Sequence, residues 1–137
     1  MIIQRFFSTR NVSDSLASFG LLVLRLAVCG MMLTHGMSKL LRFSTLSQTF
    51  DPIGMGGTLS LGLVVFAEVG CSIAIMLGLL TKLATIPLIV AMCVAVFVAH
   101  GGDAFAAKEL GLIYLTVFTA ISFIGPGRYS IDRILWK

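Results

Sequence analysis

Four long runs of apolar residues dominate the chain, and short stretches rich in charged residues, glycine or proline separate them. The runs cover roughly residues 19–38, 59–80, 83–99 and 105–124. A helix needs about 20 mostly apolar residues to cross about 30 Å of bilayer hydrocarbon. The pattern therefore predicts an all-α protein, a transmembrane four-helix bundle that occupies residues 1–137 as a single domain.

The connections between these runs predict where the helices stop. The fifteen-residue stretch FSTLSQTFDPIGMGG is longer than most connections between helices, and such loops often cover a site. Gly125-Pro126-Gly127 ends the fourth run. The tail RYSIDRILWK has the pattern of a short amphipathic helix, with Ser130 as its N-cap and Trp136 at the membrane interface. We therefore expect a short interfacial helix at the C-terminus.

Composition supports a membrane protein, because 58% of the residues are hydrophobic and only 12% are charged. The net charge of +4 would suit a nucleic-acid-binding protein, but the positions of the basic residues indicate a membrane topology instead. Three basic residues lie at one end of the predicted bundle: Lys39, Arg42 and Lys108. Six lie at the other: Arg5, Arg10, Lys82, Arg128, Arg133 and Lys137. The positive-inside rule then predicts that both termini are cytoplasmic, and we expect no nucleic acid as a partner.

Two charged residues fall well inside the apolar runs, Arg25 in the first and Glu68 in the second. An unpaired charge at the bilayer centre costs at least about 2.5–3.5 kcal/mol. With a rise of about 1.5 Å per residue, the two backbones differ in depth by about 7 Å, which long side chains can span. The sequence therefore predicts a buried ion pair between Arg25 and Glu68. Such a pair serves equally well as a clamp between helices or as part of a functional site.

A second polar cluster is predicted at the end of the bundle that faces outward. His35 and Lys39 close the first run, His100 closes the third, and Glu109 begins the fourth. On a helical wheel His35 and Lys39 share one face of their helix, which points them into the bundle. Imidazoles, an ammonium and a carboxylate at similar depth bind anions, relay protons or hold a polar head group. We predict these four as ligand-binding residues. The alternative is that they only reach toward water at the interface.

Metal and thiol chemistry have less support in the sequence. No pair of histidines or acidic residues has the HxxH or ExxH spacing of a metal site, and we predict none. The three cysteines, Cys29, Cys71 and Cys93, lie inside the apolar runs and form no CxxC motif. We interpret them as small packing residues rather than a redox pair.

Four segments, in register along residues 20–133, resemble the DoxX family. They are RLAVCGMMLTHGMSKL with its HGxxKL motif, DPIGMGG, FAEVGCSIAIMLGLLTK and GPGRYSID. The family pattern falls on these residues of the chain: Arg25, His35, Gly36, Lys39, Glu68, Gly78 and Gly125-Pro126-Gly127. The resemblance implies a small, multi-pass, four-helix protein of the inner (plasma) membrane. It assigns no catalytic role to any of these residues.

The resemblance also implies an association with redox chemistry. The family takes its name from a subunit associated with an archaeal terminal quinol oxidase and with thiosulfate:quinone oxidoreductase activity. The leading hypothesis is therefore a redox-associated subunit, if enzymatic then a quinone-linked oxidoreductase subunit, that binds a quinone-like or small anionic ligand near the outer membrane face. A quinone is the cofactor this hypothesis implies, and its partner is a redox protein or a second copy of the chain.

Two other classes of function remain open at this point. One is a non-catalytic membrane scaffold or assembly factor, in which a polar core sets the register of the helices and the outer surface binds a partner complex. Transport of a small solute has less support, because four helices in one copy leave little room for a gated path. A scaffold tolerates substitution at His35 but not at Arg25 or Glu68, which distinguishes it from a binding protein.

Overall fold

The computed structural model describes residues 15–136, and within that range it contains helices and no strands. The helices are α1 (Ser15–Leu41), α2 (Phe43–Leu46), α3 (Gly57–Leu77), α4 (Thr81–Ala99), α5 (Phe105–Ile124) and α6 (Ile131–Leu135). Four of them, α1, α3, α4 and α5, are long and apolar enough to cross a membrane. The predicted all-α architecture with four spans is confirmed. Arg5, Arg10 and Lys137, on which the predicted orientation partly rests, lie outside the described residues.

The outward faces of the four long helices are apolar. Leu16, Leu41, Phe97 and Phe123 are among many large hydrophobic side chains that lie exposed on the bundle surface. A soluble monomer rarely exposes apolar surface on this scale, whereas bilayer hydrocarbon accommodates it without cost. The bundle is therefore built for lipid on its outside.

The interior is a single packed cluster along the bundle axis. Helix α4 packs along α5, and α1 packs along α3. The side chains that fill the space between them are mostly medium-sized and apolar: Val28, Cys29, Met32, Ala67, Cys71, Ile75, Ala84, Leu88, Met92, Tyr114 and Phe118. All three cysteines are free, and two of them, Cys29 and Cys71, belong to this core.

Helices α3 and α4 each contain one wider, π-helical stretch. In α3 it covers Phe66–Cys71, and in α4 it covers Val94–Ala99. A π-helical turn departs from the regular hydrogen-bond ladder of an α-helix and is frequently found at functional sites. Glu68 lies within the first stretch, and the second ends immediately before His100.

At the opposite end of the bundle, the carboxylate of Asp132 caps the start of α4. Its two oxygens accept hydrogen bonds from the backbone N–H groups of Leu80 (2.7 Å) and Thr81 (2.8 Å). These N–H groups belong to the first turn of a helix and have no partner within it, so a carboxylate there satisfies them and complements the helix dipole. The Asp132 N–H also donates to the Gly78 carbonyl at 2.8 Å, which fixes α6 against the α3–α4 turn.

Arg25 joins the same end of the molecule and does not pair with Glu68. Its fully buried guanidinium donates to the carbonyls of Ile75 (3.0 Å) and Met76 (3.0 Å) in the last turn of α3. It also donates to the carbonyls of Pro126 (2.7 Å) and Tyr129 (3.0 Å), between α5 and α6. We call this arrangement, together with Gly78 and Asp132, the Arg25 clasp.

The predicted Arg25–Glu68 ion pair is therefore wrong, and the reason is the supply of hydrogen-bond acceptors. The last carbonyls of a helix have no partner within the helix, and a guanidinium offers five donors in a planar fork. The end of α3 and the Gly-Pro-Gly turn present such carbonyls at the depth of Arg25. Gly78 adopts a left-handed conformation (φ 70°), and a side chain there would collide with Ser130, so the turn closes tightly around the arginine.

Candidate functional site

A cavity of about 190 Å³ opens between the four long helices, at the end of the bundle opposite the Arg25 clasp. Its apolar wall includes Met32, Met92 and Val96. Polar or charged side chains from α1, α3, α5 and the residue after α4 converge on it: His35, Lys39, Glu68, His100, Lys108 and Tyr114. A concave, mostly apolar pocket with a few convergent polar groups is the usual form of a small-molecule site.

The centre of the site is an ion pair between Lys39 and Glu68. Lys39 Nζ lies 2.6 Å from Glu68 Oε1, and the two side chains are 28% and 3% exposed, respectively. The second carboxylate oxygen, Oε2, is buried and has no hydrogen-bond partner among residues 15–136. Leaving a buried acceptor unpaired costs about 1–3 kcal/mol, and more for a charged group. The site thus keeps a strong acceptor that receives no hydrogen bond from the described part of the chain.

Gly36 explains how α1 brings Lys39 to Glu68. A Cβ at this position would lie 2.7 Å from a Val69 methyl group and 2.8 Å from Glu68 Cβ, so only glycine lets α1 pack directly against the π-helical stretch of α3. Lys39 follows Gly36 by about one helical turn and therefore lies on the same face. The His-Gly-x-x-Lys motif thus combines a close backbone contact with the cation that meets Glu68.

An aromatic group forms another part of the wall. The ring of His35 packs edge-on against Tyr114, with centroids 5.9 Å apart and an interplanar angle of 85°. Tyr114 in turn stacks with Phe118 at 6.1 Å. Edge-to-face and stacked arrangements are the two that aromatic rings prefer, so both contacts favour the observed ring orientations. The imidazole of His35 has no hydrogen-bonded partner among the described residues, so its nitrogens are available to a ligand.

The more exposed rim of the cavity carries His100 and Lys108. His100 Nδ1 lies 2.8 Å from Asp103 Oδ2, and about half of each side chain is exposed. Lys108 donates to the Gly101 carbonyl at 3.2 Å. Both contacts help to hold the loop between α4 and α5 at the rim.

Three of the four residues predicted to bind a ligand line this cavity: His35, Lys39 and His100. Glu109 does not, and it lies exposed on α5. Residues lining the cavity from α5 recur at helical spacing, as Lys108, Gly111 and Tyr114 do, and Glu109 points about 100° away from Lys108. Whether the three residues bind a ligand stays a prediction.

Sequence reasoning did not place Glu68 in this cluster, because Arg25 was taken as its partner. Lys108 and Tyr114, which line the cavity from α5, are not among the residues that the sequence predicts to bind a ligand. A usable signal was present: Lys39 and Glu68 both lie near the packing face marked by Gly36. Among residues 15–136, no group of three or more His, Cys, Asp or Glu side chains is placed to hold a metal ion.

The site can offer a ligand both hydrogen-bond donors and acceptors in apolar surroundings. The ammonium groups of Lys39 and Lys108 donate, Glu68 Oε2 accepts, and an imidazole does either according to its tautomer. Hydrogen bonds to charged groups are about twice as strong as neutral ones. Such a site suits a small, largely apolar ligand that carries hydrogen-bonding groups.

Comparison with known proteins places the chain in a family. The family model DoxX matches residues 20–101. Inner membrane protein YqjF of Escherichia coli is 30% identical over 126 residues, which cover 89% of this chain and 96% of that protein. An uncharacterized protein of Haemophilus influenzae is 34% identical, over 93% of this chain and 98% of its own length. Uncharacterized membrane protein Rv3486 of Mycobacterium tuberculosis is 29% identical, over 83% and 80%.

No solved structure matches the chain significantly. The family match lies over α1, α3 and α4, which hold the Lys39–Glu68 pair, His35 and His100. The four helices of membrane-spanning length agree with the name of the Escherichia coli relative, an inner membrane protein. The chain is therefore a multi-pass inner-membrane protein that belongs to the DoxX family.

Proposed function

We propose that the cavity binds the head group of a quinone-like ligand, and that the protein acts as a redox-associated subunit of the membrane. The observation that carries this proposal is the unpartnered, buried Oε2 of Glu68 at a cavity already furnished with Lys39 and His35. A buried acceptor without a donor costs stability. A ligand that supplies the donor recovers that cost.

The size of the cavity supports a single ring. An apolar cavity of about 150 Å³ holds one benzene molecule, so about 190 Å³ accommodates a ring with small substituents. Ala107 and Leu110 line the cavity from α5, and both are exposed on the bundle surface. An apolar tail on the ring would leave the cavity there and continue into the bilayer.

The charges favour a neutral ring over a multiply charged anion. Lys39 is already neutralised by Glu68, which leaves Lys108 as the cation of the lining without a carboxylate partner among the described residues. A small anion would therefore meet one ammonium at the rim and a carboxylate deeper in. On the predicted orientation, the site opens toward the outer face of the membrane, where a partner redox protein would exchange electrons with the bound ring.

Blocking the cavity tests the proposal without touching its polar groups. Ala107→Trp places a large side chain in the lining of the cavity, and Ala106→Trp places the same side chain at the neighbouring position, outside the lining. The wild type and both variants are purified in mild detergent, extracted, and compared by mass spectrometry. We expect a ring-containing lipid to be enriched in the wild type and in Ala106→Trp and to be lost in Ala107→Trp.

Two results would contradict the proposal. The first is that all three folded proteins carry the same bulk lipids with no enriched ring compound. The second is that the enriched compound persists in the Ala107→Trp variant. Either result favours the scaffold alternative, which crosslinking to partner proteins would then examine.

A further inference from the structure

We infer that the cavity selects the reduced, hydroxyl-bearing form of its ring ligand, because Glu68 Oε2 accepts a hydrogen bond that only a donor can supply. This inference rests on the proposed function, and it adds the chemical form of the ligand. The inference depends on the two carboxylate oxygens of Glu68. Glu68 is 3% exposed, its Oε1 is held by Lys39 at 2.6 Å, and its Oε2 has no partner among residues 15–136.

The pairing with Lys39 keeps Glu68 an acceptor. Lys39 Nζ donates to Oε1 at 2.6 Å, which leaves Oε2 as the carboxylate oxygen that can accept from a ligand. An ionised carboxylate accepts hydrogen bonds and donates none. A hydroxyl on the ring therefore donates to Oε2 and completes the set of contacts. A carbonyl oxygen at the same position brings two acceptors together and leaves Oε2 unpaired.

The other groups of the lining do not reverse this preference. A carbonyl on the oxidised ring can accept from the remaining N–H groups of Lys39, from Lys108 or from His35, but a hydroxyl oxygen accepts from the same donors. Only the contact with Glu68 Oε2 distinguishes the two forms. Because this contact is charge-assisted and buried, we expect the hydroxyl form to bind at least about tenfold more tightly.

The charge of the lining also disfavours a ligand that would donate to Glu68 through an ammonium group. A ligand ammonium would pair with Glu68, but it would have to displace Lys39 or lie beside it and pass Lys108 at the rim. Lys39 is neutralised by Glu68, so the repulsion that a ligand cation meets comes from the Lys108 ammonium. A neutral hydroxyl meets no such barrier.

The test measures binding of three related probes to the full chain in lipid nanodiscs. They are a decyl-substituted benzohydroquinone, its dimethyl ether, and the corresponding benzoquinone, each assayed by equilibrium dialysis against empty nanodiscs. The dimethyl ether has the same ring and tail but no hydroxyl donor. We expect the hydroquinone to bind best, with both other probes weaker by about tenfold or more.

Glu68→Gln provides the matched variant. The amide oxygen of glutamine can still accept from Lys39, while its NH₂ group now donates toward the ligand. The preference for the hydroquinone should therefore be lost or reversed, with the quinone binding at least as tightly. Ala107→Trp should abolish saturable binding of all three probes, which locates the effect in the cavity.

Three results would overturn the inference, and they differ in what else they affect. Equal affinities for the three probes, abolished by Ala107→Trp, would remove the selectivity and leave the proposed site intact. If the folded Glu68→Gln variant kept the same preference for the hydroquinone, a group other than Glu68 would have to accept the hydrogen bond of the hydroxyl. No saturable binding of any probe would overturn both the inference and the proposed function.

Discussion

Nη1 of Arg25 lies 2.7 Å from the carbonyl oxygen of Pro126, a residue 101 positions further along the chain. With its bonds to Ile75 and Met76, the guanidinium connects α1, the end of α3 and the turn after α5 at a single point. An arginine inside a membrane span is expected to find polar partners within the bundle. Here the partners are backbone carbonyls, which do not titrate. Arg25 therefore needs no acidic residue as its partner.

Replacing Arg25 by lysine should destabilise the protein markedly. Lysine keeps the charge but lacks the planar fork of donors, so it cannot reach the carbonyls of α3 and of Pro126 together. We expect a loss of about 2–4 kcal/mol in the free energy of unfolding, seen as a lower Tm in detergent. Arg42→Lys is the control, because the exposed Arg42 side chain, just after α1, donates only to Ser38 Oγ among the described residues. Equal shifts for the two variants would contradict the role of the clasp.

Exchanging the charges of Arg25 and Glu68 should fail as a rescue. In the double variant Arg25→Glu/Glu68→Arg, a carboxylate would face four carbonyl oxygens and a guanidinium would lie beside Lys39. Both sites lose their partners, so the double variant should be at least as unstable as either single variant. Recovery of wild-type expression and Tm in the double variant would restore the direct pair that the sequence suggested.

Gly36→Ala should weaken the contact between α1 and α3. The added methyl group would lie within 3 Å of Glu68 Cβ and of Val69 Cγ2, which forces the two helices apart at the ion pair. Overpacking of this kind costs about 1–3 kcal/mol. Gly30→Ala, on the same helix with nothing within 4 Å of the new Cβ, should be neutral or slightly stabilising. Unfolding midpoints of both variants in detergent decide the matter, and a neutral Gly36→Ala would show that the helices adjust freely.

The carboxylate of Asp132 should stabilise the start of α4, and a variant that keeps one of its two acceptor oxygens should lose less of this stability than a variant that keeps none. Asp132→Ala removes both bonds to the Leu80 and Thr81 N–H groups, whereas Asp132→Asn retains one acceptor oxygen. Loss of such a cap costs about 0.5–2 kcal/mol. Hydrogen exchange at these two amides should accelerate most in the alanine variant and less in the asparagine variant. If α6 docked only through its apolar residues, the two variants would exchange alike.

The features that the sequence predicts well are those set by local pattern. Apolar runs of spanning length predict four membrane helices because the bilayer leaves few other structures available. The convergence of His35, Lys39 and His100 also follows from topology alone, since each closes or ends a run at the same face. The partners of Arg25 could not be predicted from the sequence. They are backbone carbonyls, which every residue carries whatever its side chain. Glu109 was misplaced because a single helical step turns a side chain from the cavity to the surface.

The Lys39–Glu68 pair makes its own prediction about stability, independent of any ligand. Removing one partner of a buried pair leaves the other charge uncompensated and costs about 3–5 kcal/mol, whereas removing both is often tolerated. Lys39→Met should therefore destabilise the protein strongly, since Glu68 is 3% exposed and would lose its cation. Glu68→Leu should cost less, because the ammonium of Lys39 is 28% exposed and can extend toward water.

The double variant Lys39→Met/Glu68→Leu should recover much of the stability lost in Lys39→Met, while losing the ligand of the wild type. A double-mutant cycle on unfolding in detergent measures the coupling, and dialysis with the hydroquinone probe measures binding in the same preparations. If the two single substitutions were additive, the short distance between Nζ and Oε1 would carry no energetic weight. A stable double variant that still binds the probe would instead move the binding role from Glu68 to the remaining polar groups of the wall, His35, His100 and Lys108.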